Sequence, residues 1–153
     1  MNALLHQLPS YQLLKIQRVI NNAARLIHRP EPSENTIDIL KELHWLPVKK
    51  RIIFKIVLLV FKCLRNEGPS YLSDLLVPYQ PCRVLWSSEK GLLKETAANK
   101  GYGDRAFSHC APKLWNDLPL DIRQSQTTAA FKTALKTHLF KQSYKNLNGT
   151  TLD

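Results

Sequence analysis

Apolar and polar positions follow a helical period over most of the chain, and the densest stretch is 43–66. After Pro47, placed here as the first helical residue because its missing N–H would have no partner in a first turn, apolar side chains cover nearly the whole circumference. Only a narrow stripe is left, Arg51, Lys55, Leu58, Lys62 and Arg65. A helix apolar nearly all round sits in the middle of a domain. This one is read as the central helix, ending near Gly68, with one basic ridge facing out. Ahead of it, Ser10 is read as the N-cap of a first helix over 11–28, with Leu13, Ile16, Ile20, Ala23 and Ile27 as its inner face. Lys15, Arg18, Asn22, Arg25 and Arg29 make a second ridge, and Pro30 and Pro32 end the helix. A short helix over 36–43 follows.

Beyond the central helix, Pro69 or Ser70 opens a short helix over 71–77, closed by Pro78. The period fails from Tyr79 to Gly103. That segment is read as an ordered loop wrapped on the helices, or as a small hairpin pairing 84–86 with Leu92 and Leu93. Regularity returns in a helix over 107–118, where Pro112 is tolerable only within the first turn. Thr127 or Thr128 then caps a last helix to about Tyr144, its inner face Phe131, Ala134, Leu135, His138 and Leu139. Trp115 and Phe131 are the expected partners of the central helix. The pattern predicts a mainly α, single-domain helical bundle over 1–145 with a flexible tail over 146–153.

The formal net charge of +10 changes this picture by pointing to anionic partners. No acidic residue occurs in 1–30 or in 122–152. Each ridge spans roughly 21 Å of helix at 1.5 Å per residue, enough to follow several phosphates; the alternative is a pair of solvated faces. The candidate nucleic-acid-binding residues are therefore Lys15, Arg18, Arg25, Arg29, Arg51, Lys55, Lys62 and Arg65. Lys49 and Lys50 add weight, since cations in a first helical turn oppose the helix dipole. Trp45 and Trp115 read as core anchors, and Trp86, beside Arg83, as a candidate for stacking on a base.

Candidate chemistry is sparse. There is no phosphate-cradling glycine loop, no nucleophile elbow and no His-Glu-x-x-His. No closely spaced aspartate pair could hold two Mg²⁺ ions, and Asp117 and Asp121 flank a Leu-Pro turn as cap and turn residues. His109, Cys110, Cys82 and His138 could gather round zinc, but an adjacent His-Cys lacks the spacing of structural zinc sites. No catalytic residue, metal or cofactor is expected. Three widely spaced cysteines indicate a reducing compartment. Without a charged leader or an apolar run of roughly 20 residues, the expectation is an intracellular protein of nucleus or cytoplasm, with no membrane partner and an unused sequon at Asn148.

Several motifs carry a resemblance. Asn2-Ala-Leu-Leu5 with Leu8-Pro9, Lys15-Ile-Gln-Arg-Val19 and Ala23-Ala-Arg-Leu-Ile27 are followed by Leu43-His-Trp-Leu-Pro-Val48, Arg51-Ile-Ile-Phe-Lys-Ile56 and Pro69-Ser-Tyr-Leu-Ser-Asp-Leu-Leu76. Gly103-Asp-Arg-Ala-Phe-Ser108, Ala111-Pro-Lys-Leu-Trp-Asn116, Phe131-Lys132 and Leu135-Lys-Thr-His-Leu-Phe140 continue the series. Together they resemble the region after the polymerase core of LINE-type non-LTR retrotransposon reverse transcriptases. The resemblance covers nearly the whole chain. Trp86 departs from it, standing where that family tends to have a second arginine, as does 94–97. The resemblance implies a non-catalytic C-terminal remnant, without the palm's metal-binding motif or the endonuclease, that helps to hold RNA or DNA. The rivals are an interaction or scaffold module that packs on the missing polymerase, with self-association through uncovered apolar surface, and a decayed copy with no selected function.

Overall fold

The computed structural model describes residues 5–6, 8–29, 34–80, 91–96 and 106–145. Within them the fold is mainly α: seven helices and no strand. In chain order they are α1 (Ser10–His28), α2 (Thr36–Glu42), α3 (Val48–Leu64), α4 (Ser70–Ser73), α5 (Phe107–Asn116), α6 (Leu120–Arg123) and α7 (Thr128–Lys145).

α3 is central, packing on α1, α4, α5 and α7. Ile52, Ile56, Val57, Val60, Phe61 and Cys63 are buried around most of its girth. At its C-terminal half Phe61 stacks on Phe131 of α7 with ring centroids 4.0 Å apart, and Trp115 of α5 lies 6.0 Å from Phe131 and 6.4 Å from Phe61. The expected partners are therefore the real ones. A smaller cluster joins Ala24, Ile39, Leu40 and Tyr144, with Trp45 half-buried at its edge. There the Tyr144 hydroxyl donates to the Trp45 carbonyl at 2.6 Å. Trp45 is thus not a core anchor in the sense that Trp115 is.

The helix ends differ from expectation in instructive ways. Pro9 and Pro47 are the N-caps of α1 and α3, and Ser10 and Val48 the first helical residues. Proline's extended ψ suits the residue just outside the helix as well as its fixed φ suits the residue just inside. α2 gains a cap in Asn35, whose side chain accepts the Ile37 N–H at 3.1 Å. α7 is capped by Thr127, whose hydroxyl accepts the Ala130 N–H. α3 ends in a left-handed Asn66, φ 58°, with the Glu67 N–H on the Lys62 carbonyl at 2.8 Å, so two orphan carbonyls are satisfied. The chain then passes so close to Cys63 that a Cβ on Gly68 would lie 2.7 Å from its sulfur.

α4 is one turn long and not a helix to Val77, because the Leu75 and Leu76 N–H groups tighten onto carbonyls three residues back. Leu93 pairs with Pro78 in an isolated antiparallel bridge, Tyr79 N–H bonding the Leu92 carbonyl at 2.9 Å and Lys94 N–H the Val77 carbonyl at 2.8 Å. The expected hairpin partners 84–86 lie outside the described residues, as does the tail 146–153. Segment 91–96 is strapped to α5: Asn116 exchanges two hydrogen bonds with the Leu93 backbone, and the Trp115 indole donates to the Gly91 carbonyl at 2.9 Å.

Pro112 is the sixth residue of α5, not a first-turn residue. Its missing N–H leaves the Ser108 carbonyl, four residues back, without its usual donor, and the Thr96 hydroxyl takes that carbonyl at 3.3 Å. The bond supplied from outside is what a helix interior needs to hold a proline.

Candidate nucleic-acid interface

All eight candidate cations lie on α1 and α3 or at their C-caps, and all but Lys62, which is half-buried, are exposed. They differ in how freely their charge can be used. Arg25 is fastened to α2, its Nε and Nη2 both donating to Thr36 Oγ1 at 3.1 and 2.7 Å. Arg51 lies over the Trp45 ring, 5.3 Å from its centroid, and its Nε donates to the Leu46 carbonyl at 2.9 Å. Arg65 lies over Phe61 and reaches Glu67 at 3.4 Å. Glu67 in turn accepts from the Thr128 hydroxyl at 2.7 Å, the bond that does most to hold its carboxyl below the usual range. Lys15 rests on its neighbour Tyr11, 5.9 Å from the ring. No carboxylate among the described residues lies within ion-pair distance of Lys15, Arg18, Arg29, Lys55 or Lys62.

The Arg51 bond has a twin. Arg123 Nε donates to the Leu118 carbonyl at 3.2 Å. Both sites read Leu-Pro-x-x-x-Arg, in Leu46-Pro47 to Arg51 and Leu118-Pro119 to Arg123. In each, a proline N-cap opens a helix, and an arginine from the first turn reaches back to the carbonyl just before it. This spacing is visible in the sequence and reassigns Arg51 in part: its Nε positions the helix entry, while the exposed guanidinium keeps its charge.

Arg65 and Arg123 also line an open cleft of about 520 Å³, with Phe61, Leu64, Ser125 and Gln126. It lies between the end of α3 and the turn from α6 to α7. Both guanidinium groups already have partners, Glu67 for Arg65 and the Leu118 carbonyl for Arg123. Arg123 was not in the sequence-derived set, because a lone arginine on a one-turn helix carries no periodic signal.

Lys50 points the other way from the α3 ridge. Its ammonium donates to Gln142 of α7 at 2.6 Å, and burial, then the neighbouring Lys49, lowers its pKa. His138 is lowered in turn, first by burial and then by Lys50.

Of the four residues weighed for zinc, Cys82 lies outside the described residues, and among the described residues His109, Cys110 and His138 form no ligand cluster. Burial raises the pKa of Cys63 and Cys110, which suits inert thiols. Among the described residues, a group that could hold a cation is one the sequence reading missed, His28 with Glu34 and Glu42, whose ligand atoms lie within 4.8 Å of one another. His28 Nε2 is 3.1 Å from Glu34 and 3.5 Å from Glu42, the latter on a largely exposed side chain. The arrangement is accounted for as a polar clasp, with a hydrogen bond between His28 and Glu34, that fastens the end of α1 to α2. No periodicity announces it, because its three members come from three separate segments.

No family model, curated protein or solved structure matches the chain. Among the described residues no helix is long and apolar enough to cross a membrane.

Proposed function

We propose that the chain is a sequence-tolerant RNA- or DNA-binding module, a non-catalytic remnant of the C-terminal region of a LINE-type reverse transcriptase. The resemblance supplies the family. The observation that carries the binding mode is the row of exposed cations on α1 and α3 with few carboxylates near them. Evenly spaced lysines and arginines suit phosphates; neither ridge carries the paired Asn or Gln that reads adenine, Asn22 standing alone. Nucleic acid would neutralise the net charge of +10.

The test is binding of RNA and duplex DNA across a salt series. Phosphate contacts release counterions, so log K should fall with log salt by about 0.9 per contact on duplex and about 0.7 on single strands. Replacing Lys15, Arg18, Lys55 and Lys62 together by Gln preserves helix propensity and breaks no hydrogen bond. It should flatten the slope by roughly three units. The matched variant loses Lys132, Lys136, Lys141 and Lys145 instead. Equal losses in both variants would reduce binding to net charge and sink the ridge assignment. The interaction-module reading draws on a different observation, the apolar side chains α1 leaves in solvent.

A further inference from the structure

α1 has a wider apolar arc than its neighbours cover. Leu13, Ile20 and Ala24 turn toward the body of the domain, and the Gln17 side chain accepts the Val48 N–H at 2.8 Å, fixing the helix against the start of α3. About a quarter-turn away lies a second apolar row whose larger side chains the described residues leave in solvent: Leu26 is 78% exposed, Val19 68% and, beside them, Ile27 61%. Single exposed apolar residues are ordinary. These are not scattered. Gln12, Ile16, Val19, Ala23 and Leu26 advance by alternate steps of four and three residues, the spacing that keeps a seam facing a second helix. The row runs for roughly 21 Å. Half-buried Ala23 makes a notch midway between the larger Val19 and Leu26, a place for a knob from a facing helix. On one margin stand Lys15, Arg18 and Arg29, and α1 contains no acidic residue.

We propose that this row of α1 is a docking seam for an acidic amphipathic helix of a partner protein, apolar seam on apolar seam, with the partner's carboxylates along Lys15, Arg18 and Arg29. The charge margin selects among occupants. A second copy of α1 would bring two all-basic helices together with no carboxylate on either to offset them. Nucleic acid satisfies the margin but offers no apolar row. An anionic bilayer supplies both kinds of surface, but nothing in it has a four-three register or fills a notch at Ala23. The seam shares Lys15, Arg18 and Arg29 with the phosphate ridge, but its apolar row is separate from it, because Val19 and Leu26 carry no charge.

The full chain is titrated against a fluorescent three-heptad peptide with Leu at the seam positions and Glu on the flanks. Two matched peptides carry Lys on the flanks, or Ser at the seam. The Leu/Glu peptide should bind, with the other two at least about tenfold weaker. Val19→Gln with Leu26→Gln should weaken binding at least about tenfold while leaving the melting temperature and the salt slope for DNA unchanged, since both side chains lie in solvent. Tyr71→Gln with Leu75→Gln, two exposed side chains on and after α4, should leave peptide binding intact. The proposal is overturned by failure of the Leu/Glu peptide to bind, by equal binding of the Lys-flanked peptide, or by equal loss in the two variants. It is also overturned if the wild-type chain sediments as a dimer that the Val19/Leu26 variant splits, or if that variant abolishes binding to phosphatidylserine vesicles. An altered DNA salt slope in the Val19/Leu26 variant would show that seam and ridge are one surface, and would also refute it.

Discussion

Trp115 is where the packing argument can be tested most severely. It is 3% exposed, lies against Phe61 and Phe131, and its indole N–H reaches the Gly91 carbonyl. Trp115→Ala removes the indole from a site walled by two other rings on α3 and α7, which cannot collapse without moving either helix. The usual cost of such a truncation is about 3–5 kcal/mol, and the loss of two aromatic neighbours places it near the top of that range. Trp115→Phe keeps most of the ring contact and loses the indole bond. Gly91 is exposed, so its carbonyl passes to water, and the cost should be about 1–2 kcal/mol. In a chain of this size each kcal/mol lowers Tm by roughly 2–4 °C. The expectation is a drop of about 10–20 °C for Ala and a few degrees for Phe. Urea unfolding followed by far-ultraviolet circular dichroism should give the same ordering of midpoints with an unchanged slope. A Tm within about 3 °C of wild type for Trp115→Ala would mean that the three-ring cluster is not the centre of the core. Equal costs for Ala and Phe would mean that the indole bond, and not the ring packing, holds segment 91–96.

Primer extension with Mg²⁺ and template should give no product from the pure chain, and template-dependent incorporation above a buffer blank would refute a non-catalytic remnant. A second expectation concerns pH. Burial, then Lys50, depresses the native pKa of His138, and burial, then Lys113, depresses that of His6. Below the unfolded value of about 6.5 the unfolded state binds more protons, so stability should fall as pH drops from there through the lowered native values. The loss of urea midpoint between pH 7.5 and 5.5 should be smaller in His138→Gln than in wild type; identical losses would refute the assignment.

The central helix was legible because burial on every side leaves a pattern that no other placement explains. The last helix was legible for the related reason that Phe131, Leu135 and Leu139 form one face at helical spacing. In α1 the sequence pointed to Leu13, Ile16, Ile20, Ala23 and Ile27 as the inner face; Leu13 and Ile20 do turn inward, joined by Ala24, whereas Ile16 and Ile27 are exposed. Periodicity marks an arc as apolar but cannot say which part of it has a neighbour. α6 was missed because four residues carry too little period to read. Of the eight candidate cations, the sequence placed every one on the right helix or at its cap. It could not foresee that Arg25 and Arg51 are fastened by hydrogen bonds, since Thr36 and the Leu46 carbonyl come into reach only after the chain has folded back. The partnership of Leu93 with Pro78 was hidden for the same reason.

The bond from Thr96 to Ser108 has a consequence for the order in which the chain folds. A helix interrupted by proline has a gap in its own ladder, and here the stitch comes from residues earlier in the chain. Asn116 and Trp115 fasten the same stretch at the other end of α5, so helix and strap complete one another. Neither has its full set of bonds when alone, so the pair should be acquired in one cooperative step. Amide protons of α5 and of residues 91–96 should then exchange with solvent together, as a single unit closing onto an α3–α7 pair already in place.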